Sequence, residues 1–206
     1  MTEAAATTPA ASLRERLGPG TFVFVVGPSG AGKDTLLDHA RRRLASEARV
    51  SFVRRVVTRQ ADDNEDHESV SEPAFAVAQA RGAFALTWRA HGLSYGIPRD
   101  VEPVIAAGGV VVANGSRAAV AALRSRFAHV LVAEITASPE IRAARLLARG
   151  RETRAVIMAR LARPAPGPGD TRATVTIENN AAPEAAGERL VAAIGHALEA
   201  SRRRTT

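Results

Sequence analysis

Short apolar runs rich in Val, Ile and Phe alternate along the chain with longer stretches rich in Ala, Leu and Arg. Apolar runs of about four to eight residues between turn signals are typical of buried strands, whereas apolar positions spaced at helical intervals indicate helices. We predict strands at Thr21–Val26, Val50–Val57, Phe84–Trp88, Gly109–Ala113, Val130–Ile135 and Thr174–Glu178. We predict helices at Gly32–Ser46, Glu72–Arg81, Val101–Ala107, Arg117–Arg126, Pro139–Arg149, Arg151–Arg163 and Pro183–Glu199. This alternation favours an α/β fold in which a parallel sheet is flanked by helices.

The length and local composition suggest where the folded part begins and ends. A chain of 206 residues fits one domain, because domains usually contain about 100–200 residues. Residues 1–18 are expected to be a disordered tail and Arg202–Thr206 a solvated end, which leaves residues 19–200 as the domain. Within it, Ser138-Pro139-Glu140 has a typical helix start, a capping hydroxyl followed by Pro at the first helical position. The Pro/Gly-rich segment Pro164–Gly169 is expected to be a loop.

Composition excludes several classes of protein. With 46% hydrophobic and 24% charged residues the chain has the balance of a globular protein, and its apolar runs are too short to span a bilayer. The first residues lack the apolar core of a secretory signal. The absence of cysteine excludes disulfides, thiolate catalysis and cysteine-bound metals, and it is compatible with the cytoplasm, where we expect the protein to reside.

The formal net charge of +7 arises almost entirely from arginine and has two interpretations. One is nucleic-acid binding, because basic domains attract phosphate backbones. The other is a small polyphosphate substrate held by the bidentate guanidinium groups of arginines. The sequence has one Trp, one Tyr and no basic/aromatic stacking motif, which favours the second interpretation. We therefore expect neither a nucleic-acid nor a membrane partner, and the sequence is compatible with a homodimer.

The most informative segment follows the first predicted strand and runs directly into a predicted helix. It has the pattern G-x-x-x-x-G-K and consists of Gly27, Pro28, Ser29, Gly30, Ala31, Gly32 and Lys33. In such a loop, glycines let backbone N–H groups turn toward phosphates, the helix start adds its positive dipole end, and the lysine neutralises the transferred charge. A glycine-rich turn without a ligand is the alternative. Strand, spacing, lysine and helix together predict a phosphate loop that binds ATP, and hence an ATP-dependent kinase.

The residues after the lysine depart from the usual pattern. Ser or Thr normally follows the lysine and supplies its hydroxyl to Mg²⁺, but here Asp34 follows and Thr35 comes next. A hard cation accepts carboxylate oxygen readily, so Asp34 is a candidate ligand of Mg²⁺ and Thr35 a candidate phosphate contact. The alternative is that Asp34 is an acid favoured in the first helical turn by the helix dipole.

From this loop onward the order of motifs resembles the guanylate-kinase family of P-loop kinases, over residues 20–195. The segments that carry the resemblance are GPSGAGKDTLL, Thr58-Arg59, His91–Gly96, Ser138-Pro139-Glu140, Arg149-Gly150-Arg151 and Arg160-Leu161. The resemblance implies a P-loop kinase fold with a small acceptor-binding lobe near residues 54–99 and an arginine-bearing lid near residues 142–170. It assigns catalytic roles to Lys33, Arg149 and Arg160, whereas Arg142 and Arg163 are expected to be solvated residues of a helix face.

Two departures from the guanylate-kinase pattern concern the acceptor. That family reads guanine with a hydroxyl after the Tyr-Gly pair and a Glu two residues after a Phe. Here Ile97 and Leu86 occupy these positions, and apolar side chains offer guanine no polar partner. We therefore expect an acceptor that carries phosphate but is not GMP.

These departures look like the ribose 1,5-bisphosphate phosphokinases of bacterial phosphonate degradation. The matching segments are GPSGAGKD, Arg55–Arg59, Glu65–Glu68, His91–Pro98 and Ala113–Arg117. The resemblance implies that ATP and ribose 1,5-bisphosphate give ADP and 5-phosphoribosyl 1-diphosphate. It implies an acceptor site formed by Arg55, Arg59, His67, Tyr95 and Asn114. The rivals are a nucleoside monophosphate kinase with altered base choice and, from another class, a catalytically silent interaction module, which would typically have lost the intact phosphate loop.

Overall fold

A computed structural model describes residues 16–59, 67–90, 92–148 and 173–206. The elements in these ranges are, in chain order, β1 (Leu17–Val26), α1 (Lys33–Arg43), β2 (Val50–Phe52), β3 (Arg55–Val57), β4 (His67–Ser69), α2 (Glu72–Ala80), β5 (Phe84–Ala90), β6 (Leu93–Pro98), α3 (Val101–Ala106), β7 (Val110–Asn114), a 3₁₀ turn (Arg117–Ala119), α4 (Val120–Arg126), β8 (Phe127–Thr136), α5 (Pro139–Ala148), β9 (Val175–Glu178) and α6 (Pro183–Thr205). None of these helices is long and apolar enough to cross a membrane.

The strands form two sheets. The large sheet has five parallel strands in the order β2-β7-β1-β8-β9, and the small sheet has four strands in the order β4-β3-β6-β5. In the small sheet β6 pairs antiparallel with both β3 and β5. The α/β fold with a parallel sheet flanked by helices is therefore confirmed, with a second sheet inserted between β2 and β7.

The large sheet is buried on both faces, because alternate residues of β1 enter different apolar clusters. Val23 and Val25 pack with residues of α1 and α6, whereas Phe22 and Phe24 pack with residues of α3, α4 and the small sheet. Strands covered on both faces are near-continuous apolar runs, which is why β1 and β7 were readable from the sequence.

Some boundaries differ from the prediction. The segment 50–57 is not one strand: Val53 N donates to Val112 O, and at Arg54 the chain leaves the large sheet and begins the small one. Two strands were missed. His67–Ser69 has only three residues, and Leu93–Pro98 contains Gly96 and Pro98, which are typical of loops. The predicted helix at Arg151–Arg163 lies outside the described residues. The helix start at Pro139 is confirmed, with Ser138 Oγ accepting from Ile141 N at 3.4 Å.

The folded part is also longer at each end than residues 19–200. The first strand begins at Leu17, and α6 continues to Thr205 because its last turns are tied to the start of β1. Ser201 is fully buried and its hydroxyl lies 2.8 Å from that of Thr21, while Arg204 donates to Thr21 Oγ1 at 2.7 Å.

Candidate active site at the carboxyl edge of the large sheet

The phosphate loop, residues 27–33, joins the end of β1 to the start of α1. Gly27 and Gly32 have φ of 147° and 90°, which L side chains rarely adopt. A Cβ on Gly27 would lie 2.2 Å from Ile135 O, and one on Gly32 would lie 2.5 Å from the Asn179 amide nitrogen. These glycines are therefore required by close packing as well as by backbone conformation, as the motif predicts.

Lys33 extends along the inside of this loop. Its Nζ donates to Gly27 O at 2.9 Å and to Pro28 O at 3.2 Å, so the ammonium group lies against the loop's own carbonyls. It is the single lysine of the sequence; the other basic residues are all arginine. Asp34 and Thr35 follow in the first turn of α1, where Thr35 is exposed.

Three side chains to which the sequence analysis gave no role in the site donate hydrogen bonds to carbonyl groups of the loop. The buried Asn179 amide donates to Ala31 O at 2.8 Å, and Arg145 Nη1 donates to the same oxygen at 3.4 Å. Arg142 Nε donates to Ser29 O at 3.0 Å. The expectation that Arg142 is merely solvated is therefore wrong, because the first turns of α5 pack directly on the loop. The sequence position of Asn179 could have identified it as a site residue, because it directly follows the last parallel strand, at the edge where ligands bind in such folds.

Asp34 has a defined partner at the end of the neighbouring strand. The amide of Asn114, the last residue of β7, donates to Asp34 Oδ1 at 2.7 Å. Both residues line a small cleft between α1 and the ends of β2 and β7. Within the described residues there is no group of three or more His, Cys, Asp or Glu side chains that could hold a metal ion. The described side chains alone therefore form no metal site, and Asp34 is the acid that directly follows the loop lysine.

A second acid at this edge is neutralised by an arginine. Glu134 on β8 lies opposite Val26 of β1 and forms an ion pair with Arg117. Both side chains are only about one fifth exposed, at 22% and 20%. The pairing removes a negative charge that would otherwise repel an anionic ligand.

The small sheet brings together several of the residues that the sequence predicted for the acceptor. Arg55 on β3 pairs with His67 on β4, and His67 is only 6% exposed. The Arg55 guanidinium lies 5.7 Å from the centre of the Tyr95 ring, which stacks in turn on Trp88. The structure thus places Arg55, His67 and Tyr95 in one sheet, although 28 positions separate His67 from Tyr95 in the sequence.

Arg59 follows β3 in a segment fixed by Thr58. The Thr58 hydroxyl accepts from Ser94 N at 2.8 Å and donates to Glu72 Oε1 at 3.1 Å. These bonds tie the end of β3 to β6 and α2, so the half-buried Arg59 leaves the sheet at a defined point. Asn114 does not join this group but pairs with Asp34. Arg149 and Arg160 lie outside the described residues, and their assignment stays a prediction.

The two apolar residues that occupy the guanine-reading positions of guanylate kinases lie directly opposite each other. Leu86 on β5 pairs with Ile97 on β6, and they are 6% and 0% exposed. Both belong to the apolar cluster that includes Phe24 of the large sheet. Neither side chain can donate or accept a hydrogen bond, as the sequence indicates.

Comparison with known proteins places this geometry in a family. A family model described as an AAA domain matches residues 23–160. A ribose 1,5-bisphosphate phosphokinase from Pseudofrankia inefficax is 49% identical over 182 residues, which cover 88% of this chain and 94% of that protein. Another from Acidiphilium cryptum is 54% identical over 168 residues, 82% of this chain and 88% of that protein.

Among solved structures, a guanylate kinase from Anaplasma phagocytophilum superimposes with a TM-score of 0.62 at 19% identity, over 88% of this chain and 87% of that one. At this identity the likeness shows the fold alone. Taken with the identities to the phosphokinases, it shows a nucleotide-binding kinase built on a guanylate-kinase-like P-loop domain. This chain belongs to the ribose 1,5-bisphosphate phosphokinase family.

Proposed function

We propose that this protein transfers the γ-phosphoryl group of ATP to the 1-phosphate of ribose 1,5-bisphosphate, giving ADP and 5-phosphoribosyl 1-diphosphate. The observation that carries the proposal is the pairing of an intact phosphate loop with a small sheet that presents arginines and a tyrosine and has Leu86 and Ile97 at the positions that read guanine in guanylate kinases. The 49% identity to a protein named for this reaction supports the same conclusion.

The donor half uses the phosphate loop, residues 27–33, together with Asp34 and Thr35 in the first turn of α1. Without a Cβ, Gly27 and Gly32 pack against Ile135 O and Asn179 at positive φ, and inward-turned N–H groups of such a loop suit the β- and γ-phosphates of ATP. Lys33 exchanges its bonds to the carbonyls of the loop for bonds to these phosphates. Mg²⁺, when bound with ATP, would supply further charge neutralisation. Asp34, oriented by Asn114, is the residue that would hold it, directly or through water, because Mg²⁺ bound with nucleotide needs only one or two protein carboxylates.

The acceptor half uses the face of the small sheet that carries Arg55 and Tyr95, with Arg59 and His67 beside it. Bidentate guanidinium groups suit phosphate oxygens, so the arginines hold the acceptor by its charged ends. Asn114 lies apart from this group, at the end of β7, and orients Asp34; its contact with the acceptor, which the family resemblance implies, stays a prediction.

The chemical step needs orientation more than proton transfer. An oxygen of the 1-phosphate attacks the γ-phosphorus of ATP and forms the new P–O bond. The bond from the γ-phosphorus to the β,γ-bridging oxygen breaks, and its electron pair leaves with ADP. The attacking oxygen is already ionised near neutral pH, so no side chain acts as a base. Lys33, with Arg149 and Arg160 closing over the transferred group, neutralises charge and keeps water out.

The rival function is a nucleoside monophosphate kinase, which the likeness of fold to a guanylate kinase favours. Incubating the enzyme with ATP, Mg²⁺ and either ribose 1,5-bisphosphate, GMP or AMP separates the two, with ADP release and ³¹P NMR as readouts. We expect release of ADP and a new diphosphate signal only with the bisphosphate. Efficient GMP turnover with an inert bisphosphate would establish the rival, and a folded protein inactive on every acceptor would establish a silent module.

The reaction also bears on where the protein works. Its substrates are ATP and a doubly phosphorylated sugar, charged metabolites that are formed and consumed in the cytoplasm, and we propose that location. Localisation of a tagged full-length chain by fractionation checks it.

A further inference from the structure

One face of the small sheet is filled where it meets the large sheet. Its side chains come from two opposite pairs of the β5–β6 ladder, Leu86 with Ile97 and Trp88 with Tyr95. Directly opposite residues in an antiparallel ladder lie on the same face. Leu86, Trp88 and Ile97 are at most 9% exposed and join the apolar cluster of the large sheet, so this face packs against the large sheet.

Tyr95 stands between two neighbours on that face. The Trp88 ring is parallel to it within 6°, at 5.2 Å between centroids, and the Arg55 guanidinium lies 5.7 Å from its centre. Since β6 lies between β3 and β5, Arg55 and Trp88 approach the ring from opposite sides. Both faces of the Tyr95 ring are therefore covered, and no face remains on which a planar base could stack.

On the side away from Tyr95, the Trp88 ring packs against the large sheet. Its ring meets that of Phe24 edge to face, at 6.2 Å and 89°. Phe24 is fully buried, and its ring occupies the space beside Gly115, where a Cβ would lie 2.0 Å from it. Phe24 belongs to β1, the strand that leads into the phosphate loop. The indole thus occupies the space between the small sheet and the strand that carries the donor site.

We propose that Trp88 is a specificity-determining residue, which fills the volume beside the acceptor phosphate that a nucleobase would need and thereby restricts the enzyme to base-free sugar phosphates. The proposal rests on the proposed function and adds a steric cause to it. A base would need a stacking surface and polar partners at its edge. Trp88 and Arg55 cover the stacking surface, and the adjoining Leu86–Ile97 pair offers no polar partner.

The test compares kcat/KM for ribose 1,5-bisphosphate and for GMP in the wild type, Trp88→Ala and Trp88→Phe. Opening the volume should lower the preference for the bisphosphate by about tenfold or more in Trp88→Ala, the scale on which pocket contacts discriminate substrates. Trp88→Phe retains a ring and should keep most of the preference. Phe75→Ala is the matched control, because Phe75 is equally buried and stacks on Phe84 at 4.7 Å, but on the opposite face of the sheet beneath α2.

A second readout does not depend on turnover. Trp88 is the single tryptophan of the chain, so its fluorescence reports on this site alone. Titrating the wild type with ribose 1,5-bisphosphate in the absence of ATP should change the emission saturably, and GMP at the same concentrations should not. Circular dichroism checks that each variant is folded; should Trp88→Ala not fold, Trp88→Leu takes its place under the same criterion.

The outcomes separate this proposal from the proposed function. An enzyme that prefers the bisphosphate and keeps that preference in folded Trp88→Ala, or loses it equally in Phe75→Ala, overturns the role of Trp88 alone. An enzyme that uses another base-free sugar phosphate and gains GMP turnover in Trp88→Ala overturns only the named substrate. A wild type that accepts GMP with Trp88 in place overturns both.

Discussion

In the phosphate loop, the groups suited to phosphate are backbone amides of one continuous segment, whereas on the small sheet they are side chains from separate strands. The loop's shape depends on glycines at 27 and 32 and on outside bonds from Asn179 and Arg142. The proposed acceptor face depends on the identity of side chains such as Arg55 and Trp88, which β3 and β5 bring together.

This contrast between backbone groups and side chains determines how substitutions would change substrate specificity. Replacing a side chain on the small sheet alters the acceptor pocket without altering the backbone, whereas replacing a loop glycine alters the backbone itself. A guanylate kinase therefore retains this fold at 19% identity. Variants of the two regions should accordingly affect different kinetic constants.

The largest effect is expected from Lys33→Ala. Removing the ammonium group should lower kcat by about 100- to 1000-fold, the loss seen when one group that stabilises transferred charge is removed. The fold should persist, because the bonds from Lys33 Nζ to Gly27 O and Pro28 O lie within its own loop. Coupled ADP assays and thermal melting measure the two effects. Near-normal turnover with an unchanged melting curve would contradict the assignment of this loop to the donor.

The next effect is on the acceptor side. Arg55→Ala should raise KM for ribose 1,5-bisphosphate by about 10- to 100-fold, since charge-assisted bonds contribute about 1.5–3 kcal/mol. The KM for ATP should stay within about twofold, because Arg55 lies in the other sheet. Arg54→Ala is the control: it removes the same charge from the adjacent position, where Arg54 donates to His67 O instead. Equal effects from both variants would show that KM depends on the total positive charge of this region and not on the position of Arg55.

A smaller effect should separate the metal from both substrates. Asp34→Asn keeps the shape of the side chain but removes its charge, and it should raise the Mg²⁺ concentration for half-maximal activity by about tenfold. The KM for the sugar phosphate should change less. Asp38→Asn, one turn further along α1 and exposed, serves as the control for lost charge in the same cleft. If the Mg²⁺ curve does not shift, Asp34 is only a helix-start acid.

A smaller effect still is expected from the hydrogen bond that Asn179 donates to the phosphate loop. Asn179→Ala removes the 2.8 Å bond to Ala31 O and should raise KM for ATP by about three- to tenfold, the equivalent of about 1 kcal/mol for one buried bond. The KM for the acceptor should be unaffected. Asn180→Ala offers a neighbouring comparison, since Asn180 accepts from Ser138 N and not from the loop. Comparable shifts in both variants would mean that Asn179 supports α5 and not the loop.

The smallest effect concerns the connection between the two sheets. Burial raises the pKa of Glu102 on α3, but hydrogen bonds from Arg126 and Arg99 outweigh burial and leave that pKa below its ordinary value. A carboxyl with a depressed folded-state pKa stabilises the protein above its unfolded pKa, and this contribution is lost as the pH falls through the folded pKa. Glu102→Gln should therefore lower the melting temperature by about 2–4 °C at pH 7. The difference should shrink as the pH falls below 4.5, the ordinary pKa of the group, and vanish below its folded-state pKa.

The exposed Glu199 provides a control for that experiment. Glu199→Gln removes the same charge from α6 and should leave the melting temperature nearly unchanged at both pH values. A difference between wild type and Glu102→Gln that persists unchanged at low pH would show that the effect comes from packing.

The errors of sequence reasoning fall mainly outside the phosphate loop. The segment Val50–Val57 has the pattern of one strand, yet its two ends belong to different sheets. Leu93–Pro98 contains Gly96 and Pro98 and looked like a loop, yet it is the central strand of the acceptor face. Gly96 is tolerated there because the Phe84 ring covers it, with atoms 2.6 Å from where its Cβ would lie. The sequence around Gly96 does not indicate that an aromatic ring covers it.

The sequence by itself determined the phosphate loop, whose conformation is local, and most strands of the large sheet, whose burial on both faces makes them near-continuous apolar runs. Backbone conformation at Gly27 and Gly32, the strand before them and the helix after them are all local. Only the tertiary structure decided that Arg142 and Asn179 hold the loop, and that Trp88 and Arg55 enclose Tyr95. Those contacts join strands and helices far apart in the chain, and their energies depend on distance and ring orientation, which residue order does not specify.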